Sequence, residues 1–284
     1  MASPDELTAD HVATLIQSAL ETDRPPRLSP IGEGGEHHSW WVDDRYVARF
    51  APDEAASLRQ RRELALRDLI RTRTDVPLPR SVAHGRWAPG CGFTVDTRLH
   101  GTSGERQALS TAGRKQLAAL LRALRSIPVA DAAALDVPAG QPIEWERLAA
   151  CAEQARLRLL GTEAVAATPL RPPLQETAPP VLAHADLKGE HLMVRSDGAL
   201  AGVLDWADAE LADPARDVAG LAISVGAPAA AQIAIEAGHT HATALAGVFL
   251  ARCETLLRLD ERLRDASDSP LPLLRAQTAR AWQG

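Results

Sequence analysis

Lysine is nearly absent from this 284-residue chain: of 31 basic residues only Lys115 and Lys188 are lysines, an arginine bias that suits a GC-rich genome. Cysteine is equally sparse. Cys91, Cys151 and Cys253 are odd in number, widely spaced and without a C-x-x-C pattern, which argues against a disulfide framework and a cysteine zinc site. They read as buried small apolar residues. No run approaches the roughly eighteen uninterrupted apolar residues of a membrane helix. The opening "MASPDELTAD" has early acids and no basic segment leading into an apolar one, so no secretory signal and a cytoplasmic location are expected. A basic face is missing as well. Residues 1–139 hold 18 acids and 18 bases, so the whole formal charge of −6 belongs to residues 140–284. That distribution disfavours nucleic acid and favours a cationic small molecule wherever the acids converge; otherwise it is a merely soluble surface.

What is present is a globular composition, 45% apolar and 24% charged, on a chain long enough for two lobes or one large domain. "SWWVDDRYVARF" reads as two β-prone runs around an Asp43–Asp44 turn, a hairpin. In the helical stretch after it, Leu58, Leu66, Leu69 and Ile70 are spaced for one buried face, with Pro52 suited to the first turn. "GFTVDTRL" reads as a further strand, and Gly101 and Gly104 mark a break. Helical patterns follow in "STAGRKQLAALLRALRSI", in "IEWERLAACAEQARLRLLG" and from about Leu221 onward. The expectation is an α+β chain with a small β-rich lobe over residues 1–98 and a larger α-helical lobe over 99–284.

The most chemical stretch is "HADLKGEH", residues 184 to 191, directly after the apolar run Val181, Leu182 and Ala183. Its alternatives are a polar turn, a transition-metal site from His184, Asp186 and His191, and a phosphoryl-transfer loop. "HLMVRSDGALAGVLDW" carries two apolar runs around Ser196, Asp197 and Gly198, a hairpin signal. Such a hairpin returns Asp205 to the neighbourhood of Asp186 and His191. Two carboxylates and an imidazole then share one mouth, which is what phosphoryl transfer needs: a proton acceptor, oxygen ligands for a divalent cation, and a positive charge for the moving group. On this reading Asp186 is the base, Asp205 the main ligand for Mg²⁺, His191 a second or water-mediated ligand, and Lys188 faces the terminal phosphate.

"HADLKGEH" followed by Asp205–Trp206–Ala207 resembles the catalytic loop and metal-binding triplet of the aminoglycoside and macrolide phosphotransferases, antibiotic kinases with the protein-kinase-like fold. The resemblance spans about residues 28 to 225. It implies that Asp217, in "DPARD", ties down the loop backbone and that His184 supports the loop. His191 stands where most of these enzymes have Asn, and Lys188 departs from their usual residue. Gly32, Gly34 and Gly35 in "IGEGGEHHSWW" then supply the phosphate-covering turn, with Ser39 at its end. Arg49 occupies the position of the protein-kinase lysine, although arginine is a planar fork and not a point charge, and Glu63 is its partner on the next helix. Asp96, Arg98 and Leu99 fall in the hinge, where backbone groups would meet the base.

The resemblance implies transfer of the terminal phosphate of ATP or GTP to a hydroxyl of an antibiotic: an aminoglycoside, a macrolide or a cationic cyclic peptide related to capreomycin and viomycin. Glu236, Glu254, Asp260, Glu261 and Asp265 are the candidate contacts for a cationic drug, each with a solvated helix face as the plain alternative. A metabolite kinase for a sugar or amino alcohol, and a nucleotide-binding pseudokinase, are the other readings. No nucleic-acid or membrane partner is expected, and the chain is expected to be a monomer or homodimer.

Overall fold

The computed structural model describes residues 7–32, 38–165, 169–172, 178–265 and 269–283. The chain divides into two compact units, Met1–Thr72 with Pro77–His100, and Arg73–Val76 with Gly101–Gly284.

The first unit contains α1 (Ala9–Ala19), β1 (Leu28–Pro30), β2 (His38–Val42), β3 (Tyr46–Phe50), α2 (Glu54–Arg71), β4 (Ser81–Ala88) and β5 (Cys91–Thr97). Its strands form one antiparallel sheet in the order β1-β2-β3-β5-β4. The β2–β3 hairpin turns at Asp43, whose φ of 50° is a left-handed conformation that Asp tolerates better than most residues. Alternation along the strands separates two faces. One is apolar: Val42, Ala48, Phe50, Phe93 and Val95 bury against Val12 and Ile16 of α1, with Phe50 and Phe93 stacked at 5.1 Å.

The other face is polar, and it decides how α2 sits. Asp53 caps that helix by accepting the Ala56 N–H at 2.7 Å, so Pro52 lies just before the cap and not in the first turn. Its buried stripe is Ala56, Ser57, Gln60, Glu63, Leu66, Arg67 and Ile70. Leu58, expected on that stripe, is 55% exposed, because the sheet face beneath carries Arg49 and Asp96 and is matched by polar side chains. Arg67 reaches both oxygens of Asp96 at 3.3 Å and lies 3.7 Å from Glu63.

The second unit contains β6 (Thr102–Ser103), α3 (Thr111–Ser126), α4 (Val129–Ala133), α5 (Trp145–Leu159), β7 (Val181–Ala183), β8 (Leu192–Val194), β9 (Leu200–Val203), β10 (Glu210–Ala212), α6 (Ala215–Val225), α7 (Ala227–Glu236), α8 (His241–Arg264) and α9 (Leu271–Ala281). Two small sheets, β6-β8-β9 and β7-β10, lie among the helices. Ala155, Leu159, Leu256, Leu259 and Leu274 join α5, α8 and α9 in one apolar cluster. The hairpin expected around Gly198 forms: β8 pairs antiparallel with β9, and Gly198 takes a φ of 77° in the turn. Cys91 and Cys253 are buried as expected, but Cys151 is exposed on α5, because the buried positions of that helix fall at Ala149, Ala152, Ala155 and Arg156.

Removing Arg67 leaves Arg49 to balance two buried carboxylates, Asp96 and Glu63, a class of change that costs about 3–5 kcal/mol. Arg67→Ala is therefore expected to lower the unfolding free energy by about that amount in urea titration. Arg27→Ala, which breaks the exposed pair with Asp43, should change it by less than about 1 kcal/mol. Equal effects of the two substitutions would contradict this account of the polar face.

Candidate active site

β7 delivers the chain into the 184–191 loop, and buried side chains pin that loop from below. His184 and Leu187 are fully buried. Gly220 of α6 backs directly onto the loop: a Cβ there would lie 2.7 Å from the Leu187 carbonyl oxygen. One carboxylate holds the loop's entry. Asp217, in the first turn of α6, accepts the His184 N–H at 3.0 Å and the Ala185 N–H at 2.9 Å. Burial pushes its carboxyl up to about 6, against the lowering effect of those two N–H groups.

His184 uses both ring nitrogens. The Asp186 N–H donates to Nδ1 at 3.3 Å, so Nε2 carries the hydrogen and donates to the Leu204 carbonyl at 2.9 Å. Desolvation by burial lowers its pKa to about 4, which keeps the ring neutral as this pattern requires. Its ring also packs on Trp206, with centroids 4.6 Å apart. His184 thus touches the residues on both sides of Asp205. Ala185 and Asp205 themselves have positive φ, 65° and 56°, a strained conformation for non-glycine residues that persists only where the surroundings enforce it.

His191 stands between the two carboxylates. Its Nδ1 lies 2.8 Å from the Asp186 carbonyl oxygen and 3.6 Å from the Asp186 carboxylate. Because a carbonyl only accepts, Nδ1 is the donor in that contact, and Nε2 faces Asp205 Oδ2 at 3.8 Å. The Asp205 side chain is 50% exposed and, among the described residues, has no lysine or arginine upon it. An exposed carboxylate beside an imidazole nitrogen is a donor set that fits a divalent cation, with Asp205 the harder ligand. The Lys188 ammonium sits on the Asp186 carboxylate instead of projecting away from it, since opposite charges two residues apart pair locally.

In the first unit, Arg49 stands across the strands from Ser39 and Thr94. Its guanidinium donates to Glu63 at 2.8 Å and to Asp96 at 3.2 Å.

A family model described as the phosphotransferase enzyme family matches residues 27–277. The chain belongs to this family. As a kinase-type phosphotransferase it has the protein-kinase-like architecture, and solved structures repeat that fold. Aminoglycoside 2'-phosphotransferase-IIIa, solved with GDP, is 20% identical, with TM-score 0.67 over 95% of this chain and 98% of the other. The streptomycin–ATP complex of APH(2'')-IIa is 17% identical, with TM-score 0.64 over 96% and 98%. Macrolide 2'-phosphotransferase MphH from Brachybacterium faecium is 17% identical, with TM-score 0.60 over 95% and 97%. No curated protein matches by sequence.

Several residues of this phosphotransferase sit differently from the sequence expectation. Asp96, read for its backbone alone, has a side chain that is a buried carboxylate shared by Arg49 and Arg67. The adjoining N–H groups are spent inside the sheet lobe, Thr97 on Arg80 O and Arg98 on Arg45 O, while the Arg98 guanidinium lies over Trp41. Leu99 follows, beyond β5. Asp260 is not an open substrate contact. Arg158 grips it at 3.0 and 2.8 Å and Arg264 adds a third bond at 3.0 Å; the Arg158 contact lowers its pKa first of all. Glu236 is held on α7 by Gln232, Glu261 is exposed on α8, and Asp265 is the C-cap of that helix. Gly34 and Gly35 lie outside the described residues; Gly32 has open space around it.

Glu254 differs from the other acids. Burial raises its pKa, opposed by the nearby charges of Lys188, Arg216 and Arg258, so it lies within electrostatic reach of the loop. Sequence reasoning missed Glu190, whose carboxylate clusters with Asp186 and His191 although it stands within the quoted loop. It also missed Glu105, which receives Arg280 and Gln277 from α9 beside Gly189; only long-range pairing reveals that residue.

Asp217 gives a pH test with a definite sign. A carboxyl whose folded pKa is about 6, above its usual value, is disfavoured as an anion in the folded state. Its cost is fully present above pH 6 and is relieved as pH falls toward about 4. The wild type should therefore gain stability relative to Asp217→Asn between pH 7.5 and 5, read from paired urea titrations; a relative loss over that window would contradict the burial argument.

Proposed function

We propose that this phosphotransferase moves the terminal phosphoryl group of ATP or GTP to a hydroxyl of an amine-bearing antibiotic in the cytoplasm. The observation that carries the reading is the placement of His191 between Asp186 and Asp205. Asp186 orients the acceptor hydroxyl and takes its proton, and Lys188 stands beside it to offset charge on the transferring group. Asp205 and His191 would hold Mg²⁺, which supplies charge neutralisation at the nucleotide phosphates. Arg49, fixed by Glu63 and Asp96, contributes a phosphate-binding guanidinium, with Gly32 and Ser39 ahead of it in sequence. Asp217 and His184 position the loop and touch no reacting atom.

For the acceptor, the resemblance to enzymes crystallised with kanamycin and streptomycin joins with Glu254, a half-buried carboxylate near Asp186 whose ionised form is completed by an ammonium group. A macrolide also carries an amine and a free hydroxyl, so both drug classes satisfy the same chemistry.

The test is incubation with Mg²⁺ and ATP or GTP against aminoglycosides and macrolides, scored by mass gain of one phosphoryl group. Asp186→Asn is expected to lower kcat by about 10²–10⁴-fold, and Asp205→Ala to abolish turnover even at high Mg²⁺. Near-native turnover by Asp186→Asn would remove it from the role of base. Glu254→Gln should raise KM for the amine substrate more than it lowers kcat.

A further inference from the structure

A cavity of about 590 Å³ lies on the second unit between α3 and the connector Arg73–Val76, with no residue of the 184–191 loop in its lining. Lys115, Ala119, Arg122 and Ser126 recur along one stripe of α3, while Leu117, Leu120, Leu121 and Leu124 of the same helix are buried. Ala119, between Lys115 and Arg122 on the helix, and Ala123 also line it. The opposite wall is braced. Val76 is 5% exposed, and the Thr74 hydroxyl accepts the Val76 N–H at 3.2 Å. On the α3 side Gln116 is fixed by accepting the Leu200 N–H at 2.8 Å, and Arg122 by donating to the Glu236 carbonyl. Arg73, Lys115 and Arg122 are themselves exposed.

Its charge is opposite to that of the chain. Arg73, Lys115 and Arg122 line it with a single carboxylate, Asp75, on a protein of net charge −6. Among the described residues Arg73, Lys115 and Asp75 enter no ion pair. Three cations converging on one space repel one another, and that repulsion is relieved by a ligand carrying closely spaced negative charge. Two of them are guanidinium forks, the group best matched to phosphate and carboxylate oxygens. We infer that this cavity binds a small polyanion, a molecule with at least two adjacent phosphate or carboxylate groups. The inference rests on the cavity alone and stands apart from the proposed phosphoryl transfer.

The scarcity of lysine supplies the test. An amine-specific acetylating reagent has only Lys115, Lys188 and the chain terminus to modify, and each is separable by peptide mass. With chelator present to remove divalent cations, inorganic pyrophosphate and citrate are titrated in separate arms, telling phosphate from carboxylate recognition. Acetylation of Lys115 is expected to slow at least fivefold in one arm or both, with Lys188 unaffected. In Arg73→Gln/Arg122→Gln, where both exposed side chains change without loss of apolar packing, the protection should disappear. Lys115 labelling indifferent to both anions, protection at Lys188 alone, or protection that survives the double substitution would each overturn the assignment.

Discussion

A single neutral imidazole joins the two halves of the candidate active site. His184 accepts the Asp186 N–H on one nitrogen and donates to the Leu204 carbonyl from the other. The loop carrying the proposed base and the strand end carrying the proposed metal ligand are thereby set against one ring. A protonated ring cannot do this, because imidazolium has two donors and no acceptor. Full burial supplies the neutrality, and Asp217 fixes the same segment from the backbone side. Each such bond contributes only about 1 kcal/mol net, but leaving its buried partner unmet costs about 1–3 kcal/mol. The two strained residues at 185 and 205 cost about 1–3 kcal/mol each, and the surrounding hydrogen bonds are what hold them.

The first unit solves a related problem by different means. Arg49 is kept in place by ion pairs with Glu63 and Asp96, and Arg67 compensates the same two carboxylates from beneath. Here charges balance within a dry interface between α2 and the sheet, so specificity of arrangement is gained from mutual dependence: removing one member strands the rest. The 184–191 loop is instead held by a neutral imidazole and by one carboxylate on two backbone N–H groups.

Much of this arrangement is legible in the amino-acid sequence. The 184–191 loop, the turn at Gly198 and the return of Asp205 follow from period-two apolar runs flanking Ser-Asp-Gly, and such local signals survive folding. The hairpin at Asp43 is readable on the same grounds, whereas the pairing of Arg49 with Glu63 comes from the resemblance. What escapes is long-range charge pairing. Nothing near Asp260 in sequence announces Arg158, and Asp96 reads as a hinge residue until α2 folds Arg67 over its side chain. Leu58 defeats a reading from apolar spacing because the buried face of its helix is polar, and Cys151 defeats one from residue type because its neighbours on α5 take the buried positions. The cavity shows the same divide: the spacing of Lys115 and Arg122 lies in one helix, but Arg73 reaches it only through tertiary packing.

The central claim, that a neutral His184 bridges the two segments, is tested most directly by assigning its tautomer. Long-range ¹H–¹⁵N correlation spectra of ¹⁵N-histidine-labelled protein at pH 6 distinguish a protonated from a bare ring nitrogen. One ring should show Nε2–H and an unprotonated, hydrogen-bonded Nδ1, a signal lost in His184→Gln. An imidazolium, or hydrogen on Nδ1, would contradict it.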